Sequence, residues 1–173
     1  MNVKKVYKNK WITVIKSNNF YTVDENLKQV TVIPVFRNKI ILVKQYRPAI
    51  KKFTLEFPGG AIRKFENPRK SAARELFEET GVDVVNLKKF RKIANISVNP
   101  LRNTKIPFLF YVNIDANEIP KKLKQSEEIK KCIIIDLKSF LLLCKEDQII
   151  SSYMISAYFL YLLKFKKLNI DYE

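Results

Sequence analysis

The sequence contains no histidine. That absence excludes an imidazole base, a histidine nucleophile and a histidine-ligated zinc site, and with them many hydrolytic mechanisms. Glycine is scarce at three residues, and two of the three are adjacent, so each marks a particular backbone event. The two cysteines, Cys132 and Cys144, sit in or beside apolar runs and are too few for a disulfide framework or a thiolate metal site. They are expected to be buried free thiols, which fits a reducing compartment, the cytoplasm by default. No apolar stretch follows the charged N-terminus, so no secretory signal is expected. The longest uncharged run, Gln148 to Leu163, falls short of the ~20 residues that span a bilayer and reads as a buried helix, so no membrane partner is expected.

What remains is an ordinary globular composition, 47% apolar and 29% charged over 173 residues, enough for one domain and too little for two. The formal charge of +16 would attract anionic ligands. The basic residues are scattered in short groups, which reads as a solvated basic surface. A funnel for an anionic substrate and a nucleic-acid surface are the alternatives.

The first half reads as strands over Trp11–Ile15, Phe20–Val23, Val30–Phe36 and Ile40–Tyr46, with a hairpin turn at Arg37-Asn38-Lys39. After Thr54–Phe57, Pro58-Gly59-Gly60 is expected to break the strand into a loop with a backbone conformation closed to most residues. Asn67-Pro68 predicts a helix start and Gly81 its stop. Between them an amphipathic helix is expected to pack Ala73, Leu76, Phe77 and Thr80 on one side. Strands then follow at Phe90–Ile96, Phe108–Ile114 and Cys132–Asp136, and helices at Leu137–Cys144 and Ile149–Phe165. The pattern is an α/β (α+β) arrangement with a mixed sheet flanked by helices.

On the first helix, Glu75, Glu78 and Glu79 are spaced three and four residues apart, so their side chains are neighbours on one face. Like charges at this spacing destabilise by roughly 0.2–0.5 kcal/mol per pair unless a cation binds. An all-carboxylate site suits a hard ion, Mg2+ first and Mn2+ as a substitute. Taken alone, the same residues also read as a solvated face paired with Arg69, Lys70 and Arg74. The Pro-Gly-Gly segment before the helix, with Glu66 and Arg74 beside the cluster, favours the cation.

Gly60, Glu66, Arg74-Glu75-Leu76, Glu78-Glu79 and Gly81-Val82, in this spacing, resemble the Nudix box at every specified position. The resemblance implies a Nudix-type α/β/α sandwich around a mixed central sheet, and hydrolysis of a nucleoside diphosphate linked to a further group. It also implies that Glu75, Glu78, Glu79 and the carbonyl of Gly59 bind divalent ions, that Arg74 orients the glutamates, and that Glu66 holds loop and helix together or ligates indirectly. Gly60, Glu66 and Gly81 are the structural positions of the box.

The flanks resemble the ADP-ribose and ADP-sugar pyrophosphatases. Val43-Lys44-Gln45-Tyr46-Arg47-Pro48 and Leu55-Glu56-Phe57-Pro58 precede the box as they do there, which implies that Arg47 and Glu56 contact substrate. Pro100 stands about where that subfamily has a proline past the box. Ser126-Glu127-Glu128-Ile129 resembles the loop that supplies a base, which makes Glu128 or its neighbour Glu127 the candidate. Residues 1–29 would be N-terminal strands contributing to a homodimer, with Trp11, Phe20 and Tyr21 stacking on adenine, and residues 30–173 the catalytic core of the one domain. The sequence departs from the subfamily in having Pro58-Gly59-Gly60 where Pro-Ala-Gly is frequent. The implied reaction is hydrolysis of ADP-ribose to AMP and ribose 5-phosphate. The alternatives are an RNA 5′ pyrophosphohydrolase or nucleoside triphosphate pyrophosphatase, suggested by the charge, and a non-catalytic nucleotide-sensing module.

Overall fold

A computed structural model describes residues 3–123 and 129–166. The strands are β1 (Val3–Lys8), β2 (Ile12–Ser17), β3 (Phe20–Glu25), β4 (Gln29–Phe36), β5 (Lys39–Arg47), β6 (Lys52–Glu56), β7 (Gly59–Ala61), β8 (Arg91–Asn95), β9 (Phe108–Asn113) and β10 (Ile129–Ile135). The helices are α1 (Pro68–Thr80), α2 (Leu137–Lys145) and α3 (Ser152–Phe165). β1 was not expected from the sequence: all six of its residues are exposed, so no buried face imposes an alternating pattern.

The main sheet runs β10-β5-β4-β9-β8, with β6 on β5 and β7 on β4. β4 and β9 are parallel and their neighbours antiparallel, so the sheet is mixed as expected. Side chains alternate between two cores because successive strand residues point to opposite faces. Val30 and Val32 of β4 with Phe110 and Val112 of β9 pack on α1 through Ala72 and Leu76. Ile33 and Val35, with Leu109 and Tyr111, pack on α2 and α3 through Phe140, Ala157 and Tyr161. The result is a helix, sheet, helix sandwich.

β4 and β5 begin as a hairpin closed by Arg37 and Asn38, both in left-handed conformations (φ 48° and 63°) of the kind a two-residue turn requires. They pair only at Val35–Ile40 and Phe36–Lys39 and then part. The gap is filled by the next stretch of chain. β6 pairs with β5 from Lys52 to Glu56, the chain crosses at Phe57-Pro58, and β7 pairs with β4 from Gly59 to Ala61. Pro58, which has no N–H to give, accepts from Val32 N at 2.9 Å, and the buried Phe57 N–H donates to Met154 Sδ at 3.0 Å.

The expected loop after Pro58 is therefore a short strand, and the glycines are there for space: among the glycines only Gly81 has positive φ. A Cβ on Gly59 would lie 2.3 Å from Val30 O, and one on Gly60 2.6 Å from the Glu75 carboxyl group. Other differences are smaller. The inward row of α1 follows the four-residue spacing Ala72, Leu76, Thr80, so Phe77, one position off it, is 48% exposed. Among the described residues neither cysteine forms a disulfide, and both are half-buried, Cys144 at the margin of the core. α3 starts at Ser152 with Ser151 as its cap, so Ile149 is buried just before the helix.

β1, β2 and β3 form a separate antiparallel sheet. It is tied to the β8–β9 connection by Val23 N donating to Arg102 O (2.7 Å), Thr104 N donating to Val23 O (3.1 Å) and a Lys105–Asp24 ion pair (2.6 Å). No helix among the described residues is long and apolar enough to cross a membrane.

Candidate active site

α1 forms where the sequence predicts it. The Asn67 side chain accepts from Arg69 N at 2.9 Å, Pro68 fills the first helical position, and Gly81 (φ 78°) returns its N–H to Phe77 O at 2.9 Å. Beside the apolar row that packs on the sheet, the flank of the helix next to β7 carries Arg74, Glu75 and Glu79, with Glu78 outside them.

Arg74 is the hub of this face. Its guanidinium donates to Glu66 (3.0 Å), Glu75 (2.7 Å), Glu78 (2.9 Å), Ser71 Oγ (3.1 Å) and the Ala61 carbonyl (2.9 Å). Its fixed fork thus joins helix, strand and loop. The Arg74 hydrogen bonds are the main cause that pulls the Glu66 pKa down to about 2, and Glu66 also accepts from Arg63 N at 3.0 Å. Glu66 therefore links the loop to the helix.

Glu75 and Glu79 are strained electrostatically. Burial raises the Glu75 pKa, with Arg74 opposing. Burial also pushes Glu79 up to about 8, against a hydrogen bond from Gly59 N at 3.1 Å and with the Glu75 charge adding to the rise. Two carboxylates that resist ionisation side by side are a ready receptor for a cation. As they stand, no three acidic or thiol side chains among the described residues are gathered around one point. The expected convergence is interrupted because Arg74 sits between Glu75 and Glu78, Arg63 draws Glu78 outward (3.1 Å), and Glu79 is held at Gly59. Cys132 Sγ donates to the Glu79 backbone carbonyl at 3.4 Å, and burial lifts its thiol to about 11, so it is an inert neighbour.

Where β4 and β5 part, a cleft of about 260 Å³ opens. Gly59 and Gly60 line it, so it borders the glutamates directly. Arg47 and Glu56 face it from β5 and β6 as a two-pronged ion pair, Nε to Oε1 at 2.7 Å and Nη2 to Oε2, with Thr54 Oγ1 as a further donor to Glu56. Burial would raise the Glu56 pKa, but Arg47 and Thr54 hold it below the usual carboxylate range.

Sequence reasoning missed Glu25, Asn103, Lys105 and Tyr153, which also line the cleft. No local pattern marks them, since they are assembled by the β8–β9 connection crossing to β3 and by the start of α3. The Tyr153 hydroxyl is buried, and burial raises its pKa, with Thr31 opposing. Trp11, Phe20 and Tyr21 lie on the small sheet, 63%, 57% and 45% exposed, and do not line the cleft of their own chain. Glu127 and Glu128 lie outside the described residues.

A family model described as the NUDIX domain matches residues 26–157. Over 57 residues the chain is 49% identical to an ADP-sugar pyrophosphatase of Mus musculus, covering 30% of this chain and 26% of that one. Over 62 residues it is 42% identical to an ADP-ribose pyrophosphatase of Bacillus subtilis (strain 168), covering 36% and 32%. Over 46 residues it is 50% identical to a methanol dehydrogenase activator of Bacillus methanolicus, covering 27% and 25%. The matched segments thus span between a quarter and a third of these relatives. A crystal structure of an ADP compounds hydrolase superposes with a TM-score of 0.72 at 19% identity, covering 94% of this chain and 92% of that one, which is a likeness of fold.

Proposed function

The chain belongs to the Nudix family, and from that premise we propose that it is a divalent-metal-dependent pyrophosphohydrolase that cleaves a nucleoside diphosphate sugar, with ADP-ribose the leading substrate. The observation that carries the reading is the junction of the box glutamates with the cleft. Gly59 touches Glu79 and Gly60 touches Glu75, while both glycines line a cleft walled by Arg47 and Glu56.

The residues fit a hard cation. The donors are all oxygen, Glu75, Glu78, Glu79 and the Gly59 carbonyl, and the bare Cα of Gly60 leaves the Glu75 carboxyl room that a Cβ would take. Magnesium is the proposed ion. Bound there, it would neutralise the diphosphate, polarise phosphorus and lower the pKa of a water. The protein's own part is positional. Arg74 holds Glu75 and Glu78 to the helix face and Glu66 fastens the loop, so the backbone beneath the carboxylates is fixed, while Glu78 would leave Arg63 and Glu79 would leave Gly59 N when an ion enters. Arg47, braced by Glu56, is proposed to take a phosphoryl oxygen through the rest of its guanidinium fork. Glu128, or Glu127, is proposed as the base that takes the proton of the attacking water. Trp11, Phe20 and Tyr21 are proposed to hold adenine across a homodimer, a reading supported by their exposure.

The test is product analysis after incubating the protein and magnesium with ADP-ribose, other nucleotide sugars, dinucleotides, nucleoside triphosphates and triphosphorylated RNA. AMP and ribose 5-phosphate formed preferentially from ADP-ribose are expected, with Glu79→Gln nearly inactive. Preference for RNA or triphosphates would overturn the substrate class, and magnesium-dependent binding without turnover of any compound would make the protein a sensor.

A further inference from the structure

Among the described residues, the cleft contains one charged group that no ion-pair partner neutralises. Arg47 is held by Glu56, and Lys105 Nζ by the Asp24 carboxylate (2.6 Å) and the Glu25 backbone carbonyl. The Glu25 carboxylate makes no ion pair among the described residues. It receives a single long hydrogen bond, from Asn103 Nδ2 at 3.4 Å. A carboxylate has about four acceptor positions, so most of this one's capacity is unused, and the Asn103 amide beside it can still donate and accept.

That pairing suits a group carrying two adjacent hydroxyls, each able to donate to the carboxylate and accept from the amide. A carboxylate at the rim of a dinucleotide site takes a ribose hydroxyl in this way. A nucleobase fits less well. Its recognition calls for a stacking ring, and the aromatic residues of the lining are Phe57, only 4% exposed, and Tyr153, whose hydroxyl is buried. Size agrees, because about 260 Å³ is below the ~300–1,000 Å³ of sites that enclose a whole drug-sized ligand. The cleft takes part of a substrate. With the diphosphate at Gly59 and Gly60, next to the glutamates, the part that reaches Glu25 is a sugar.

We infer that Glu25, with Asn103 beside it, is a sugar-positioning residue whose carboxylate accepts hydrogen bonds from the vicinal hydroxyls of a ribose in the substrate. The small N-terminal sheet is then a specificity element as well as a covering layer, held against the cleft by Lys105. The inference deepens the proposed function and rests on it.

The experiment compares the wild type with Glu25→Gln and Glu25→Ala on ADP-ribose and on two analogues, each lacking the 2-hydroxyl of one of its riboses. Binding is also followed by calorimetry, which reads hydroxyl preference without turnover. The wild type should favour ADP-ribose over one analogue by roughly tenfold or more, as expected for a hydrogen bond to a charged group. Both variants should raise KM for ADP-ribose by a similar factor, keep kcat within about threefold because Glu25 touches none of the box glutamates, and lose the hydroxyl preference. Thermal melting close to wild type shows that the variants fold. Equal wild-type affinity for all three compounds, or unchanged KM in both variants, would overturn the inference. So would a change in preference between adenine and hypoxanthine substrates with hydroxyl preference intact, which would assign Glu25 to the base. Selective binding without hydrolysis would instead leave the sugar contact standing and reject the proposed activity.

Discussion

Replacing Glu66 by Gln tests how much the arginine hub holds this site together. The carboxylate is 9% exposed and makes two hydrogen bonds to Arg74, from Nε and Nη2 at 3.0 Å each. Its pKa falls from 4.5 to about 2, which corresponds to about 3 kcal/mol of folding stability at neutral pH. The pKa is lower in the folded chain than in the unfolded one, so this stabilisation is complete above pH 4.5 and fades as the pH drops towards 2. Arg74 keeps Glu75 and Glu78 in the variant, so no cation is stranded and the loss should not exceed the lost attraction. Urea unfolding at pH 7 should show Glu66→Gln less stable by about 2–3 kcal/mol. At pH 3 the gap between variant and wild type should shrink to under half, because the unfolded-state carboxyl, with its pKa of 4.5, is by then almost wholly protonated while the folded one stays mostly ionised. A gap below about 0.5 kcal/mol at pH 7, the range of ordinary surface changes, or a gap of equal size at both pH values would refute the reasoning.

Gly60→Ala should leave the melting temperature within a few degrees of wild type yet cut activity sharply, since its Cβ meets the movable Glu75 carboxyl and displaces a proposed metal donor; wild-type turnover would show that Glu75 need not stand there. Magnesium should raise the melting temperature more at pH 8 than at pH 6, because the Glu79 proton, with a pKa of about 8, must leave before the ion binds; a pH-independent shift would remove Glu79 from the ligand set. Phe65 holds a left-handed backbone (φ 65°) with its ring 94% exposed, so Phe65→Gly should stabilise the fold by about 1 kcal/mol in urea titration; a loss of stability would mean that the ring makes contacts worth more than the backbone strain.

The parts of this molecule legible in the sequence are those set by neighbours along the chain. The cap at Asn67-Pro68 and the stop at Gly81 are local chemistry and stand as read, and the hairpin turn read at Arg37-Asn38-Lys39 closes at Arg37 and Asn38, with Lys39 already in β5. The glycine pair was legible as a special position but not as the right kind. Whether a glycine is needed for its dihedral angle or for its missing Cβ depends on what lies opposite, here Val30 O and the Glu75 carboxyl, and that is decided by the pairing of β7 with β4. The glutamates were placed on one helix face by periodicity. Their division between Arg74 and Gly59 depends on where β7 passes. Glu25, Asn103 and Lys105 were invisible for the same reason, since they come from segments about 80 residues apart that meet only through tertiary contacts.

The crossing at Phe57-Pro58 has a mechanical consequence. The stretch from Lys52 to Ala61 works as a wedge driven into a split sheet, bonded to one half along β6 and to the other along β7. Spreading the halves would have to break ladder bonds on one flank or the other, and closing them would have to expel the wedge. The width of the cleft is therefore a property of the backbone. Side-chain substitutions along its walls should retune which molecules are held there while the spacing between wall and glutamates stays fixed, which makes those walls the natural place to redirect the substrate choice of the proposed hydrolase.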